Sequence, residues 1–333
     1  MSGRFRHTAL LAAALVLVSM PPAGAYLKLG ARLGDRLVNL RWGAFPIRYF
    51  VTNRDVAGVT APQLQQAAGR AFATWASVRD VSLSAEFVGF TSTGPSTGDG
   101  MNVIGFADRP ELARVLGATS FTFDVVSGQI VEADIFLNST FPWSVASNGE
   151  SGRHDVESIA LHEIGHLHAL GHSALGETEL TGGARRVIAA EAVMFPIAFP
   201  AGSLNRALRA DDIAGISDIY GNDRFRGATG SIAGRVTKNG SGVLGAHVVA
   251  FDPASGAMVG GFSLSQDGSF VIAGLDPGSY VVRVEPLDDG DPGSFLDASL
   301  NIDLDFRAAF YERLVPVPRG GTSRSIEVRV QSK

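Results

Sequence analysis

Apolar residues recur at helical spacing in two stretches of the first half of the chain. Leu64, Ala67, Ala68, Ala71, Phe72 and Trp75 form one stripe. Val156, Ile159, Ala160, Ile164, Leu167 and Leu170 form the other. The first predicts a helix with Thr60 as N-cap and Pro62 in its opening turn. The second predicts a helix capped by Asp155. Ile213, Ile216 and Ile219 make a third, shorter helical set. Before the first helix and between the first two the pattern turns to β type. Strands are expected toward the end of Trp42–Val51, around Phe87–Phe90, and over Met101–Phe106, Leu116–Phe123 and Gln129–Leu137. A polar loop, Thr91–Gly100, and a turn around Asp124–Gly128 separate them. This order predicts an α+β unit, a mixed sheet with the second helix packed against it.

Ser173–Glu191 is polar and glycine-containing and is assigned no element. Phe225–Gly230 reads as a linker, after which the pattern changes again. Short strands are expected at Ser231–Val236, Ala246–Phe251, Ser269–Ala273 and Tyr280–Val284. Asn239-Gly240, Asp267-Gly268 and Asp276-Pro277-Gly278 supply the turns between them. That is the pattern of an all-β sandwich. Asp288–Asp305 is acidic and reads as a solvated loop.

Composition and the N-terminal segment sharpen this picture. At 333 residues and 45% hydrophobic, the chain is long enough for two domains with sizeable cores. Arg4 and Arg6 precede an apolar run, Ala9–Val18, and Ala23-Gly24-Ala25 supplies a small-residue cleavage site. Residues 1–25 are therefore expected to be a signal peptide, and the mature protein to be secreted without a transmembrane span. The formal charge is −5 and no basic run appears, so nucleic acid is not an expected partner. There is no cysteine, which excludes disulfides, thiolate ligands and a cysteine nucleophile.

The chemistry concentrates in the second helix. Five of the seven histidines lie between His154 and His172. His162 and His166 are four residues apart, so both project from one face and can share one Zn²⁺ at roughly 2.0–2.1 Å. Glu163 sits about 100° round the helix, placed to reach a water at the metal rather than the metal itself. A continuous helix would carry His172 about 9 Å past His166 and onto another face. The helix must therefore break for His172 to become the third ligand, and Gly171 is the expected breaker. His168 points off the metal face and reads as structural, as does His154 ahead of the helix.

His162-Glu163-x-x-His166-x-x-Ala169-x-x-His172 resembles the extended zinc motif of the metzincins. Ala169 stands where that motif has glycine. Alanine in a left-handed conformation costs about 1–2 kcal/mol, so the turn is expected to shift toward Gly171. Ala192-Val193-Met194-Phe195-Pro196 is similar to the Met-turn of the matrixins, a metzincin branch. Leu208–Ile216 with Ile219-Tyr220-Gly221, and Ala71–Trp75, resemble matrixin helices. The resemblance covers roughly Trp42–Gly221. It implies one catalytic zinc on His162, His166 and His172, Glu163 as general base, and Met194 as the apolar floor. It also implies an extended polypeptide substrate beside an edge strand such as Leu116–Phe121.

The matrixin pattern also has a second zinc, bound by histidines ahead of the site helix. No histidine lies between His7 and His154, so that site is not expected. A propeptide cysteine latch is excluded by the absence of cysteine. The His172–Met194 segment is longer than the family pattern, which implies altered specificity. Asp124, Glu132 and Asp134 are candidate calcium ligands, with turn or solvated carboxylates the plainer reading. Gly234-Arg-Val, Gly245–Val248 and Asp267–Tyr280 resemble carboxypeptidase regulatory-like domains, which are transthyretin-like sandwiches.

The expectation is a metzincin-like α+β catalytic domain over 26–226, a mixed twisted sheet with its active-site helix. A transthyretin- or immunoglobulin-like all-β sandwich follows over 227–333. The function expected is zinc-dependent endopeptidase. Two alternatives stand beside it: a gluzincin-type peptidase with Glu191 as third ligand, and a non-catalytic extracellular binding protein with a structural zinc. The sequence leaves the oligomeric state open.

Overall fold

The computed structural model describes residues 27–33, 36–181, 184–287, 292–296 and 300–333. The expected signal segment 1–25 and part of the acidic stretch 288–305 lie outside these residues.

The first helix, α1, runs Ala61–Ala76 and starts as its sequence predicts. The Thr60 hydroxyl accepts from the Gln63 N–H, and the Gln63 side chain reaches back to the Thr60 N–H at 2.9 Å. This capping box satisfies two donors that a helix start leaves unpaired. The stripe Leu64, Ala67, Ala68, Ala71, Phe72, Trp75 is buried. Burying a side chain such as Leu64 or Phe72 stabilises by roughly 1.5–3 kcal/mol.

Six strands form one mixed sheet: β1 (Arg41–Trp42), β2 (Ile47–Thr52), β3 (Ala85–Thr91), β4 (Val103–Ala107), β5 (Gly117–Phe123) and β6 (Gln129–Asn138). Their order is β1-β6-β4-β2-β3, all parallel, and β5 joins β6 antiparallel. Among the described residues β5 pairs only with β6, so it is a sheet edge. Helix α2 (Val156–Leu167) packs against α1, β5 and β6. Its start is fixed by Asp155, which accepts from the Ser158 N–H at 2.9 Å. Two indoles, Trp75 buried and Trp42 partly buried, fasten its backbone. Trp75 Nε1 donates to the Leu161 carbonyl at 2.9 Å, and Trp42 Nε1 donates to the Leu167 carbonyl at 2.8 Å. The sheet and both helices share one apolar core that includes Val51, Trp75, Ile135, Ile164 and Met194.

Ser173–Glu191, assigned no element from sequence, contains an antiparallel hairpin of Gly176–Thr181 with Ala184–Ala190. Its strands are short of apolar alternation, which is why the pattern does not reveal them. The expected linker is also more ordered than its sequence suggests. Asp223–Ala228 is a short helix with Asn222 accepting from the Phe225 N–H, and a strand starts at Gly230.

From Gly230 onward the strands make two sheets. Gly230–Lys238 lies between Ser269–Leu275 and Ile326–Val330 in one. His247–Phe251 lies between Met258–Phe262 and Gly278–Glu285 in the other. Alternate residues of these strands, among them Ile232, Val236, Val248, Phe270, Val282 and Val328, fill a second core. Helix α3 (Ala210–Tyr220) serves both cores, with Ile216 in the first and Ala214 in the second.

The buried Asp211 carboxylate joins the two halves, accepting from the Gly260 N–H at 2.8 Å. Burial pushes its pKa up to about 7, against the opposing Ser173 hydrogen bond. A carboxyl raised above its unfolded value near 3.9 favours the protonated fold. Its contribution is complete below about pH 4 and is lost as pH rises through about 7. Asparagine mimics the protonated form. The stability advantage of the native chain over Asp211→Asn should therefore shrink between pH 4 and 7, read from urea midpoints at each pH. A constant difference would refute the coupling.

Candidate metal centre

Helix α2 ends at Leu167, and the chain reverses in three residues. The reversal falls on Ala169 itself, at φ 69°, and not at Gly171 as the alanine penalty suggests. Three interactions hold Ala169 in the left-handed region. Its N–H reaches the His166 carbonyl at 2.6 Å, its carbonyl accepts from Leu29 N–H at 2.9 Å, and its methyl is fully buried. Gly171 is needed for a different reason. A Cβ there would stand 2.7 Å from Leu27 Cβ, because the chain at Leu27 runs alongside and accepts the Gly171 N–H on the Leu27 carbonyl.

The reversal brings His172 back to His162 and His166. One ligand atom from each lies within 4.8 Å of the others, and Nε2 of His166 is 3.2 Å from Nε2 of His172. Each Nδ1 faces a main-chain carbonyl: His162 on Val193 at 2.8 Å, His166 on Leu170 at 2.8 Å, His172 on Ser294 at 2.5 Å. A carbonyl only accepts, so each Nδ1 carries the proton and each Nε2 keeps its lone pair. Burial pushes the His162 imidazole down to about 3 and holds the other two below their usual range, which keeps the ligating neutral form. Nitrogens sharing a tetrahedral zinc lie about 3.3 Å apart, so this donor set fits zinc. Among the described residues no other His, Asp or Glu joins the group, which leaves a fourth position open and leaves Glu191 outside it.

Glu163 is buried beside the histidines. Its Oε2 accepts from the Thr119 hydroxyl at 2.8 Å, and the same hydroxyl lies 2.9 Å from the Glu163 carbonyl oxygen. Its Oε1 lies beside Gly117 on the edge strand β5, 3.1 Å from where a Cβ would stand. Burial pushes the carboxyl up to about 7, and the Thr119 hydrogen bond pulls the other way. One oxygen is thus held, and the other faces Gly117 on the edge strand.

Met194 is buried under the site helix, and its sulfur abuts Gly165, where an added Cβ would come within 2.2 Å. The turn that carries it hangs on Asp212. That carboxylate accepts from Val193 N–H at 2.9 Å, Met194 N–H at 3.1 Å and Arg209 N–H at 2.9 Å. Val193 in turn offers its carbonyl to His162. A cavity of about 310 Å³ is lined by Ser294, whose carbonyl faces His172, and by Ala174, Phe195, His247, Leu287 and Phe295 among others.

The other histidines among the described residues are structural. His168 is buried among Phe45, Phe72, Trp75 and Tyr220, its pKa pushed down to about 3 by burial. His154 packs on Phe141 and Trp143, and His247 faces Glu285 at 3.1 Å. The candidate calcium ligands do not converge. Asp124 closes its own turn through Ser127 and Val126. Glu132 accepts from Gly98 and Gly100 and so fastens the 91–100 loop to the sheet, while Asp134 accepts from Val103 at the start of β4. Thr119, Asp212 and the Ser294 carbonyl carry no motif, and only their neighbours in space reveal them.

A parallel-rich sheet with one antiparallel edge, and a helix whose histidine pair is completed by a third past a tight reversal, place this region in the class of zinc metallopeptidase domains. The family model for matrixins matches residues 41–221, more than half of the chain. The chain belongs to the matrixin family. Among curated proteins it is similar to three metalloendoproteinases of Arabidopsis thaliana. It is 32% identical to 5-MMP over 134 residues, covering 36% of this chain and 33% of that one. It is 31% identical to 2-MMP over 169 residues, covering 48% and 38%. It is 29% identical to 4-MMP over 181 residues, covering 53% and 45%. The chain thus spans a third to under half of the length of these relatives. No helix among the described residues is long and apolar enough to cross a membrane.

Proposed function

We propose that this protein is an exported zinc endopeptidase, with residues 1–25 as its signal peptide. The observation that carries the reading is the convergence of three Nε2 lone pairs, each histidine oriented by a carbonyl on Nδ1, beside a buried carboxylate that is not a ligand. His162, His166 and His172 would hold the metal. Zinc there supplies a Lewis acid that lowers the pKa of a water and polarises a peptide carbonyl. Glu163 takes the proton of the attacking water on the oxygen that Thr119 leaves open, then delivers it to the departing amine. Thr119 fixes the carboxylate rotamer. An extended substrate adds to the β5 edge by main-chain hydrogen bonds, as exposed sheet edges allow. The cavity lined by Ser294 takes one substrate side chain. Residues 26–226 form the catalytic domain. Residues 227–333 form a transthyretin-like sandwich of the carboxypeptidase regulatory type, a reading supported by two sheets around one core.

The test is metal content and casein cleavage by residues 26–333. Expected are about one zinc per chain, loss of cleavage on removing zinc with a chelator, and its return when zinc is restored. Cleavage that survives complete removal of zinc would overturn the proposal. A zinc-loaded chain that cleaves no polypeptide would instead favour a binding role.

A further inference from the structure

The three carbonyls that orient the histidines do not come from one part of the chain. Val193 and Leu170 lie within the matched family segment, 41–221, and Ser294 lies 73 residues beyond its end. We infer that Ser294 is a positioning residue of the metal centre. Its main-chain carbonyl, delivered by the C-terminal half, sets the orientation and tautomer of His172. The inference rests on the zinc reading of the three histidines.

Two observations show that this carbonyl is delivered by a built contact. Ser294 ends a short turn, Pro292–Ser294, and the next two residues, Phe295 and Leu296, are buried. They sit in an apolar cluster drawn from both halves, with Leu27, Val187 and Phe195 on one side and Phe262, Leu264 and Leu287 on the other. The docking is fixed independently at the Asp211–Gly260 hydrogen bond. His172 needs such support more than its partners do. His162 and His166 are on a helix whose backbone fixes them, whereas His172 follows a strained reversal and belongs to no helix or strand. A ligand's hydrogen bond on its far nitrogen fixes the ring and raises its basicity, and its loss typically costs 10–100-fold in metal affinity.

Two variants of the full mature chain test this. Phe295→Ala with Leu296→Ala removes the apolar anchors of the turn. Replacing Phe295 by its α-hydroxy acid keeps every side chain but turns the Ser294 carbonyl into an ester carbonyl, a weaker acceptor. The readouts are zinc affinity by chelator competition and the visible ligand-field bands of the cobalt-substituted protein. The double variant should bind zinc about 10–100-fold more weakly and shift the cobalt bands. The ester should move both in the same direction by less. Phe270→Leu, in the C-terminal core away from the turn, should lower the melting temperature and leave both readouts at native values. Native affinity and cobalt bands in both turn variants would overturn the inference. So would a loss confined to the double variant, because packing alone would then account for it. A native chain that binds neither metal would overturn the zinc reading itself, a result distinct from either of these.

Discussion

Replacing Glu163 by glutamine should leave zinc bound and slow peptide cleavage by about 10²–10⁴-fold, the usual scale of a general base. Glutamine has the same shape, and its carbonyl oxygen can still accept from the Thr119 hydroxyl that holds Oε2. What it lacks is a basic site for the water's proton. Glu163 lies outside the three-nitrogen group, so metal content should not change. The comparison is zinc by elemental analysis beside single-turnover cleavage of a quenched peptide. Loss of zinc in the variant would make Glu163 a ligand. An unchanged rate would put the base elsewhere.

Asp212→Ala should destabilise the protein by about 2–6 kcal/mol, since it strands the buried N–H donors of Val193 and Met194 and each buried unmet donor costs about 1–3 kcal/mol. Val193, Met194 and Arg209 all donate to this one carboxylate, which is 2% exposed, so water cannot replace it. Against a total stability of about 5–15 kcal/mol, that is a large share. Asp212→Asn keeps one acceptor oxygen and should lose less. Burial already pushes the Asp212 carboxyl up to about 6, so its charge is held at a cost that the three donors offset. The urea midpoints of the two variants, measured without metal, decide the matter. Equal midpoints for native chain and Asp212→Ala would mean that the Met194 turn holds itself.

Much of this was written in local sequence. His162, Glu163, His166 and His172 are close along the chain, so spacing alone predicts which side chains meet. The caps at Thr60 and Asp155 and the apolar stripe of α1 are equally local. The central strands fall within a few residues of their apolar runs. What sequence reasoning missed depends on contacts between distant segments. Ala169 takes the left-handed turn because Leu29 and the surrounding core hold it there, and Gly171 is pressed by Leu27. The hairpin Gly176–Ala190 has too little apolar alternation to announce two strands. The carboxylates at Glu132 and Asp134 suggest an ion until their partners at Gly98, Gly100 and Val103 are seen.

Asp211 and Asp212 are neighbours on the first turn of α3, and they serve different partners. One holds a strand of the C-terminal half, and the other holds the floor under the histidines. Both contacts leave the same helix turn, so any displacement of that turn moves the partner strand and the floor under the histidines together.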